Sequence, residues 1–146
     1  MMQKYKAPKP EEKHGVALRE MRFDDYTKLN KICNQVNQEM IRVPGFEPPT
    51  GIVAVSGKDV VGGLVYKAEA GEDAVLDSII VAKDWQGKGV GAQLMGAFLK
   101  RMAELDVQEI RTRPRNRDAA KYFESHGFAH DESGKGLPKM VRYLRE

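Results

Sequence analysis

The sequence predicts a single α/β domain with mixed α and β elements in the order β-α-β-β-β-α-β-α-β-β. Short apolar runs bounded by glycine, proline and aspartate are typical of strands, and three longer stretches repeat their apolar residues at helical spacing. A chain of 146 residues is the size of one ordinary domain, and no internal repeat or long linker divides it. We expect residues 1–14 to form a flexible N-terminal arm and residues 15–146 to form the domain.

Each element is predicted from its own pattern. The helices are expected over FDDYTKLNKICNQVNQEMI, from Val90 to about Glu104, and over RDAAKYFESHG, which Gly127 closes. Met40 falls at the helical spacing of the first of them. The strands are expected at GVALREM, GIVAVS, VVGGLVYKAEA, AVLDSIIVA, VQEIRTR, GFAH and KMVRYLRE, with the turn GKD making a hairpin of the second and third. The fourth strand ends in a nearly continuous apolar run, which predicts a central position in its sheet.

Composition and charge indicate which kinds of partner and which cellular compartment to expect for this protein. A net charge of +3 is weak evidence for a polyanion-binding surface, and the four arginines of RTRPRNR lack the interleaved aromatics that stack bases, so nucleic acid is disfavoured. No apolar run reaches the roughly 18 residues of a membrane span, and the first residues lack the apolar core of a signal peptide. We expect a cytoplasmic protein without a membrane partner, and a homodimer stays open. The single Cys33 is expected to be a buried hydrophobe.

Three alternating glycines lie where a buried strand ends and a long helix begins: Gly87, Gly89 and Gly91. Such a junction points free N–H groups at one place, and the helix dipole adds positive potential there, which favours phosphate. Neither the dinucleotide-binding spacing nor the P-loop spacing of glycines is present. The alternative interpretation is a flexible turn with close helix packing.

A second stretch, RNRDAAKYFESHGF, lies about 25 residues further on. The two stretches together resemble the GNAT superfamily of coenzyme A-dependent N-acetyltransferases over about residues 15–145. The family's loop motif matches Gln86, Gly89 and Gly91, and its later motif matches Asn116, Ala119, Ala120, Phe123, Gly127 and Phe128. The resemblance implies a central mixed, mostly antiparallel sheet of six or seven strands flanked by helices.

Acetyl-coenzyme A is the cosubstrate that this resemblance implies. Loop N–H groups would hold its pyrophosphate, and main-chain groups of the fourth strand would hold its pantetheine arm as an added strand. The implied residues are Ile79, Ile80, Val81, Gln86, Gly87, Lys88, Gly89, Val90, Gly91, Ala92, Asn116 and Phe123. Asn116 fits an ordinary helix N-cap equally well, and Lys88 and Arg117 fit solvated surface charges. No metal is expected, because His126 and His130 straddle Gly127 at a helix end.

Acetyl transfer to an amine requires a neutral nucleophile and a proton for the departing thiolate. Asp77, a carboxylate inside an apolar strand, is the candidate general base, and a structural acid paired with an arginine is the alternative. Phe123 occupies the family's usual tyrosine position and cannot give a proton. Tyr122, about 100° round the helix, would supply the hydroxyl only if the helix were rotated, and water or unaided departure of the thiolate are alternatives.

The resemblance therefore implies an N-acetyltransferase that acts on a primary amine, and a non-catalytic acyl-coenzyme A sensor or partner module is the alternative. Arg111 argues against the ribosomal-protein N-terminal acetyltransferases, which carry a glutamate on the fifth strand. In the family, the acceptor cleft is bordered here by IRVPGFEPPT and HDESGKGLPK. Their residues Phe46, Glu47, Asp131 and Glu132 suit a cationic acceptor, either a small molecule or a peptide.

Overall fold

The computed structural model describes residues 15–41, 50–131 and 139–144. Its elements follow the predicted order, and a short 3-10 helix (Lys83–Trp85) precedes the second helix. The helices are α1 (Phe23–Gln35), α2 (Val90–Glu104) and α3 (Arg117–Ser125). The strands are β1 (Ala17–Glu20), β2 (Gly51–Ser56), β3 (Asp59–Ala68), β4 (Ala74–Val81), β5 (Glu109–Thr112), β6 (Ala129–His130) and β7 (Met140–Tyr143). The arm predicted over 1–14 lies outside the described residues.

The strands form one seven-stranded sheet in the order β1-β2-β3-β4-β5-β7-β6. Every neighbouring pair is antiparallel except β4 and β5, which are parallel. The prediction of a mixed, mostly antiparallel sheet is therefore confirmed, and β4 has the central place that its apolar run indicated.

Helices cover both faces of the sheet, and the strand side chains alternate between the two cores. On β3, Leu64 and Tyr66 pack in the core formed with α2 and α3, whereas Val65 packs in the core formed with α1. The first core is centred on Phe98 of α2, which is fully buried. Cys33 of α1 is also fully buried in the second core, as the helical spacing predicted.

Helix α1 is shorter than its apolar spacing predicted, and the inclusion of Met40 was wrong. Asn37 adopts the left-handed conformation with φ +56°, and the Gln38 N–H donates to the Cys33 carbonyl at 2.8 Å. These features form a Schellman-type end, in which asparagine is one of the favoured residues. The chain therefore leaves the helix after Gln35, and the side chain of Met40 is 59% exposed.

Candidate active site

The site is built where the two parallel strands of the sheet part. Only three residue pairs join β4 to β5, and the last of them pairs Leu76 with Thr112. The Thr112 hydroxyl donates to the Leu76 carbonyl at 3.0 Å and holds this last pair together. Beyond it, β4 continues to Val81 along β3 alone, so a wedge-shaped opening separates β4 from the segment that follows β5.

A β-bulge lies at the point of this parting. Val65 of β3 pairs with Ser78 and Tyr66 pairs with Leu76, so Asp77 is an extra residue on β4. The bulge changes which residues face which core: Leu76 packs against α2, whereas Ile80 packs against α1. Bulges of this kind often lie next to active sites because they redirect a side chain. Here the bulged residue is the carboxylate that the sequence predicted as a base.

A cleft of about 1020 Å³ runs along this opening. It extends from the glycine-rich loop, past the exposed end of β4, to the segment that follows α1. Its lining includes Tyr26, Gln38, Glu39, Met40, Tyr66, Lys67, Asp77, Ile79, Val81, Gln86, Gly87, Gly89, Val90, Gly91, Ala92, Arg113, Arg115, Tyr122 and Phe123. The cleft thus brings most of the predicted coenzyme-binding residues and the candidate base into one continuous space.

The loop that enters α2 has the form of an anion-binding turn. Gly87 and Gly89 adopt positive φ angles of +75° and +88°, which glycine reaches without steric cost. A Cβ at either position would meet no atom within 4 Å, so the space above the backbone is open. The Gln86 side chain donates to the Val81 carbonyl at 3.1 Å and fastens the loop to the end of β4.

Free backbone donors face this open space. The first N–H groups of a helix have no carbonyl within the helix to donate to, and at α2 these belong to residues 90–92. Nearby, the Tyr122 hydroxyl is buried and has no hydrogen-bond partner in the described part of the chain. Open backbone, free N–H groups and an unsatisfied hydroxyl fit the pyrophosphate of coenzyme A, which carries only acceptor oxygens at this position.

Asp77 lies further along the cleft with its side chain exposed to it. Partial burial raises the pKa of its carboxyl, and the positive charge of Lys67 opposes that rise. Tyr26 borders the same part of the cleft, and both burial and the charge of Asp77 raise the pKa of its hydroxyl. No hydrogen bond or ion pair to an arginine is found for Asp77 among the described residues, so the alternative of an arginine-paired structural acid is not supported there.

Two residues that follow α1 cross the opening, and sequence reasoning missed both. The Gln38 side chain donates to the Ile79 carbonyl of β4 at 3.3 Å. Glu39 accepts a hydrogen bond of 3.4 Å from Arg115, which precedes α3. The signal that would have found them is Asn37, because a left-handed asparagine ends the helix and turns the next residues over the sheet.

Three residues of the predicted coenzyme set do not line the cleft. Ile80 is buried against α1, and the Lys88 ammonium lies 5.2 Å from the centre of the Trp85 ring. The Asn116 side chain caps α3 by accepting from the Ala119 N–H at 2.8 Å, so it has the N-cap role that was the open alternative. Arg117 is exposed in the first turn of α3.

The predicted acceptor wall is only partly described. Phe46, Glu47 and Glu132 lie outside the described residues. Asp131 does not line the cleft, and its carboxylate accepts a hydrogen bond from Arg111 at 2.9 Å. Arg111 also bonds Glu109 at 3.0 Å, so it is a sheet-surface residue, whereas Arg113 and Arg115 do line the cleft.

Within 15–41, 50–131 and 139–144, no group of three or more His, Cys, Asp or Glu side chains is arranged to hold a metal ion. The absence of a metal from the reaction stays a prediction. In the same part of the chain, every helix is too short or too polar to cross a lipid bilayer.

Solved acetyltransferases share the overall fold of this chain. Ard1 from Thermoplasma volcanium matches with a TM-score of 0.75 and 20% identity, over 90% of this chain and 99% of that one. The ribosomal-protein-S18-alanine N-acetyltransferase from Escherichia coli matches with a TM-score of 0.74 and 15% identity, over 90% and 95% of the two chains. The PaiA N-acetyltransferase from Thermoplasma acidophilum, solved with coenzyme A, matches with a TM-score of 0.68 and 13% identity, over 88% and 99%.

Identities this low establish the fold alone. No curated protein sequence matches the chain significantly. The family model for acetyltransferases of the GNAT family, however, matches residues 16–128. The chain therefore belongs to the acetyltransferase (GNAT) family, as its two motifs indicated.

Proposed function

We propose that this protein is an N-acetyltransferase that moves an acetyl group from acetyl-coenzyme A to a primary amine, with Asp77 as the general base. The observation that carries the proposal is the bulge on β4. It sets a carboxylate in the cleft between the anion-binding turn at α2 and the residues that follow α1. Family membership supports the acetyl donor, and coenzyme A in the related PaiA structure supports the same ligand.

The chain's own residues account for binding of the coenzyme. Main-chain N–H groups at the start of α2 hold the pyrophosphate, and the open backbone at Gly87 and Gly89 lets the phosphates approach. The part of β4 beyond Leu76 has no strand partner on the β5 side, so its main chain pairs with the amides of the pantetheine arm once the Gln38 and Gln86 side chains release the Ile79 and Val81 carbonyls. When bound, acetyl-coenzyme A supplies a thioester whose carbonyl carbon is open to attack by an amine.

Asp77 removes the proton that an attacking ammonium group must lose. Its raised pKa brings the carboxylate closer to the range in which a base both accepts a proton and stays ionised near neutral pH. Proton transfer to Asp77 occurs directly or through a water. The departing thiolate takes its proton from water or leaves unaided, because Phe123 has no proton to give and is almost fully buried.

The acceptor enters from the side of the cleft opposite the glycines. The carboxylates in the described lining are Glu39 and Asp77. Two acids favour an amine that arrives with a positive charge. Lys67 and Arg115 border the same space and disfavour an acceptor with several positive charges.

The experiment measures release of free thiol from acetyl-coenzyme A in the presence of a panel of amines. In Asp77→Asn the turnover should fall by about a hundredfold or more, while the KM for acetyl-coenzyme A changes little. The loss should shrink as pH rises, because a larger fraction of the amine is then neutral without a base. Asp73→Asn, an exposed aspartate in the same hairpin that does not line the cleft, is the matched control. Equal rates for wild type and Asp77→Asn at neutral pH would remove Asp77 from the mechanism.

A second function is favoured by one observation, the absence of a hydroxyl at Phe123. In that case the protein binds acyl-coenzyme A as a sensor or partner module and does not turn it over. Binding of acetyl-coenzyme A without thiol release from any amine of the panel would support this module, whereas thiol release that depends on an amine would exclude it.

A further inference from the structure

The hydroxyl of Tyr122 is unusual among the polar groups of the described chain. The hydroxyl is buried, no described residue is its hydrogen-bond partner, and Tyr122 borders the cleft. An ideal Cβ built on Gly91 would lie 2.9 Å from this oxygen, so the hydroxyl lies against the first turn of α2. The ring is fixed by Phe123 and His126, with ring centres at 5.6 Å and 4.8 Å. A buried hydroxyl without a partner is costly, which indicates that its partner is missing from the free protein.

Residues 15–41, 50–131 and 139–144 supply no acceptor for this hydroxyl, so a bound ligand is the expected source of one. The hydroxyl lies against the first turn of α2, and the N–H groups of that turn are donors themselves. Burial raises the pKa of Tyr122 to about 12, so the hydroxyl keeps its proton throughout the physiological range. A ligand oxygen that accepts from the helix N–H groups is therefore also the natural acceptor for this O–H.

We infer that the Tyr122 hydroxyl donates a hydrogen bond to a pyrophosphate oxygen of coenzyme A bound at the start of α2. The inference rests on the coenzyme site of the proposed function and is independent of Asp77 and of turnover. It makes Tyr122 a coenzyme-binding residue and not the proton donor to the leaving thiolate. It also gives Gly91 a second purpose, because a Cβ there would lie only 2.9 Å from the hydroxyl oxygen and displace it.

The test compares wild type, Tyr122→Phe and Tyr143→Phe by calorimetric titration with two ligands. One ligand is coenzyme A, and the other is its nucleotide half, which keeps both phosphates of the pyrophosphate and lacks the pantetheine arm. Tyr122→Phe should lower the affinity for both ligands by a similar factor, which is about tenfold or more for the loss of a hydrogen bond to a charged oxygen. Tyr143→Phe is the matched control, since Tyr143 lies on β7 with 64% of its surface exposed and does not line the cleft.

The free protein provides a readout that separates binding from a structural role. Because the hydroxyl has no partner there, Tyr122→Phe should melt at the same temperature as wild type or slightly higher. A variant that melts lower and binds coenzyme A normally would overturn the inference, and so would weaker binding of coenzyme A with unchanged binding of its nucleotide half. If wild type binds neither ligand, the coenzyme site itself is wrong, which is a failure of the proposed function.

Discussion

Replacement of Gly91 by alanine tests the contact between α2 and α3 without any ligand. Gly91 is in the first turn of α2, and its φ is not positive, so the backbone itself accepts alanine. Within a helix this change ordinarily stabilises a protein by up to about 1 kcal/mol. From backbone conformation and helix propensity alone, Gly91→Ala is expected not to destabilise the protein.

The structure predicts the opposite sign. The new methyl group would lie 2.9 Å from the Tyr122 hydroxyl oxygen, which is closer than carbon and oxygen atoms pack, while the next ring atoms are at 3.6 Å and 3.7 Å. Relief requires movement of a ring that is packed against Phe123 and His126. Overpacking of this kind costs about 1–3 kcal/mol. After the helix gain is subtracted, we expect Gly91→Ala to lose about 1 kcal/mol of unfolding free energy.

Removal of the hydroxyl should reverse this loss. In Tyr122→Phe the nearest ring carbon would be 3.6 Å from the methyl group, which is an ordinary contact distance. Gly91→Ala should then be neutral or stabilising, so the two changes couple by about 1–2 kcal/mol.

The assay is denaturant unfolding of wild type, both single variants and the double variant, all free of coenzyme. A coupling of that size corresponds to a difference of roughly 2–8 °C in melting temperature for a chain of this length. Additivity within about 0.5 kcal/mol would refute the contact and with it the position of the hydroxyl.

Three further predictions concern the loop, the acid stability and the core. Gly89→Val should leave a folded protein whose melting temperature no longer rises with acetyl-coenzyme A, because a φ of +88° strains a branched residue and the turn opens. A rise in melting temperature equal to that of wild type would contradict this prediction. For Asp25, burial acts to raise the pKa, but the bonds from Arg19 at 2.7 Å and 2.9 Å and from the Arg22 N–H outweigh it and hold the pKa below its ordinary value. The stabilisation that the Asp25 carboxylate gives the fold is therefore complete above the unfolded pKa of about 4 and is lost as pH falls through the folded pKa. Asp25→Asn should lower the free energy of unfolding by about 2 kcal/mol at pH 7 and by progressively less in acid. A loss of unfolding free energy that does not change with pH would count against the ion pair. Phe98→Ala should lose about 3–5 kcal/mol in denaturant unfolding because Phe98 is fully buried between α2 and the sheet.

The order of helices and strands could be predicted from the sequence because the spacing of apolar residues depends directly on which side chains are buried. The bounds of α2, Val90 to Glu104, follow from one apolar stripe and the glycines before it. The closure of α3 by Gly127, with φ +90°, follows from the same local chemistry. Both features depend on residues within a few turns of each other, which is the range over which sequence patterns are informative.

The site could be predicted only in part because its decisive features are long-range. The bulge at Asp77 arises from the pairing of β4 with β3, where Val65 opposes Ser78, and no local pattern fixes that register. Tyr122 was expected to replace the missing hydroxyl of Phe123 only if the helix were rotated, and that role stays a prediction; both Tyr122 and Phe123 border the cleft. Their positions depend on how α3 packs against the start of α2, which is a tertiary contact.

The two glutamine contacts on β4 also bear on self-association. Where β4 leaves β5, its main chain becomes an internal sheet edge, and unpaired edges are templates onto which a strand of another molecule adds. The Ile79 carbonyl accepts from Gln38 and the Val81 carbonyl accepts from Gln86, so side-chain amides already hold two of the acceptors that such a strand would use. While the coenzyme is absent, these two glutamine contacts therefore disfavour aggregation through addition of a foreign strand at the opening that admits the pantetheine arm.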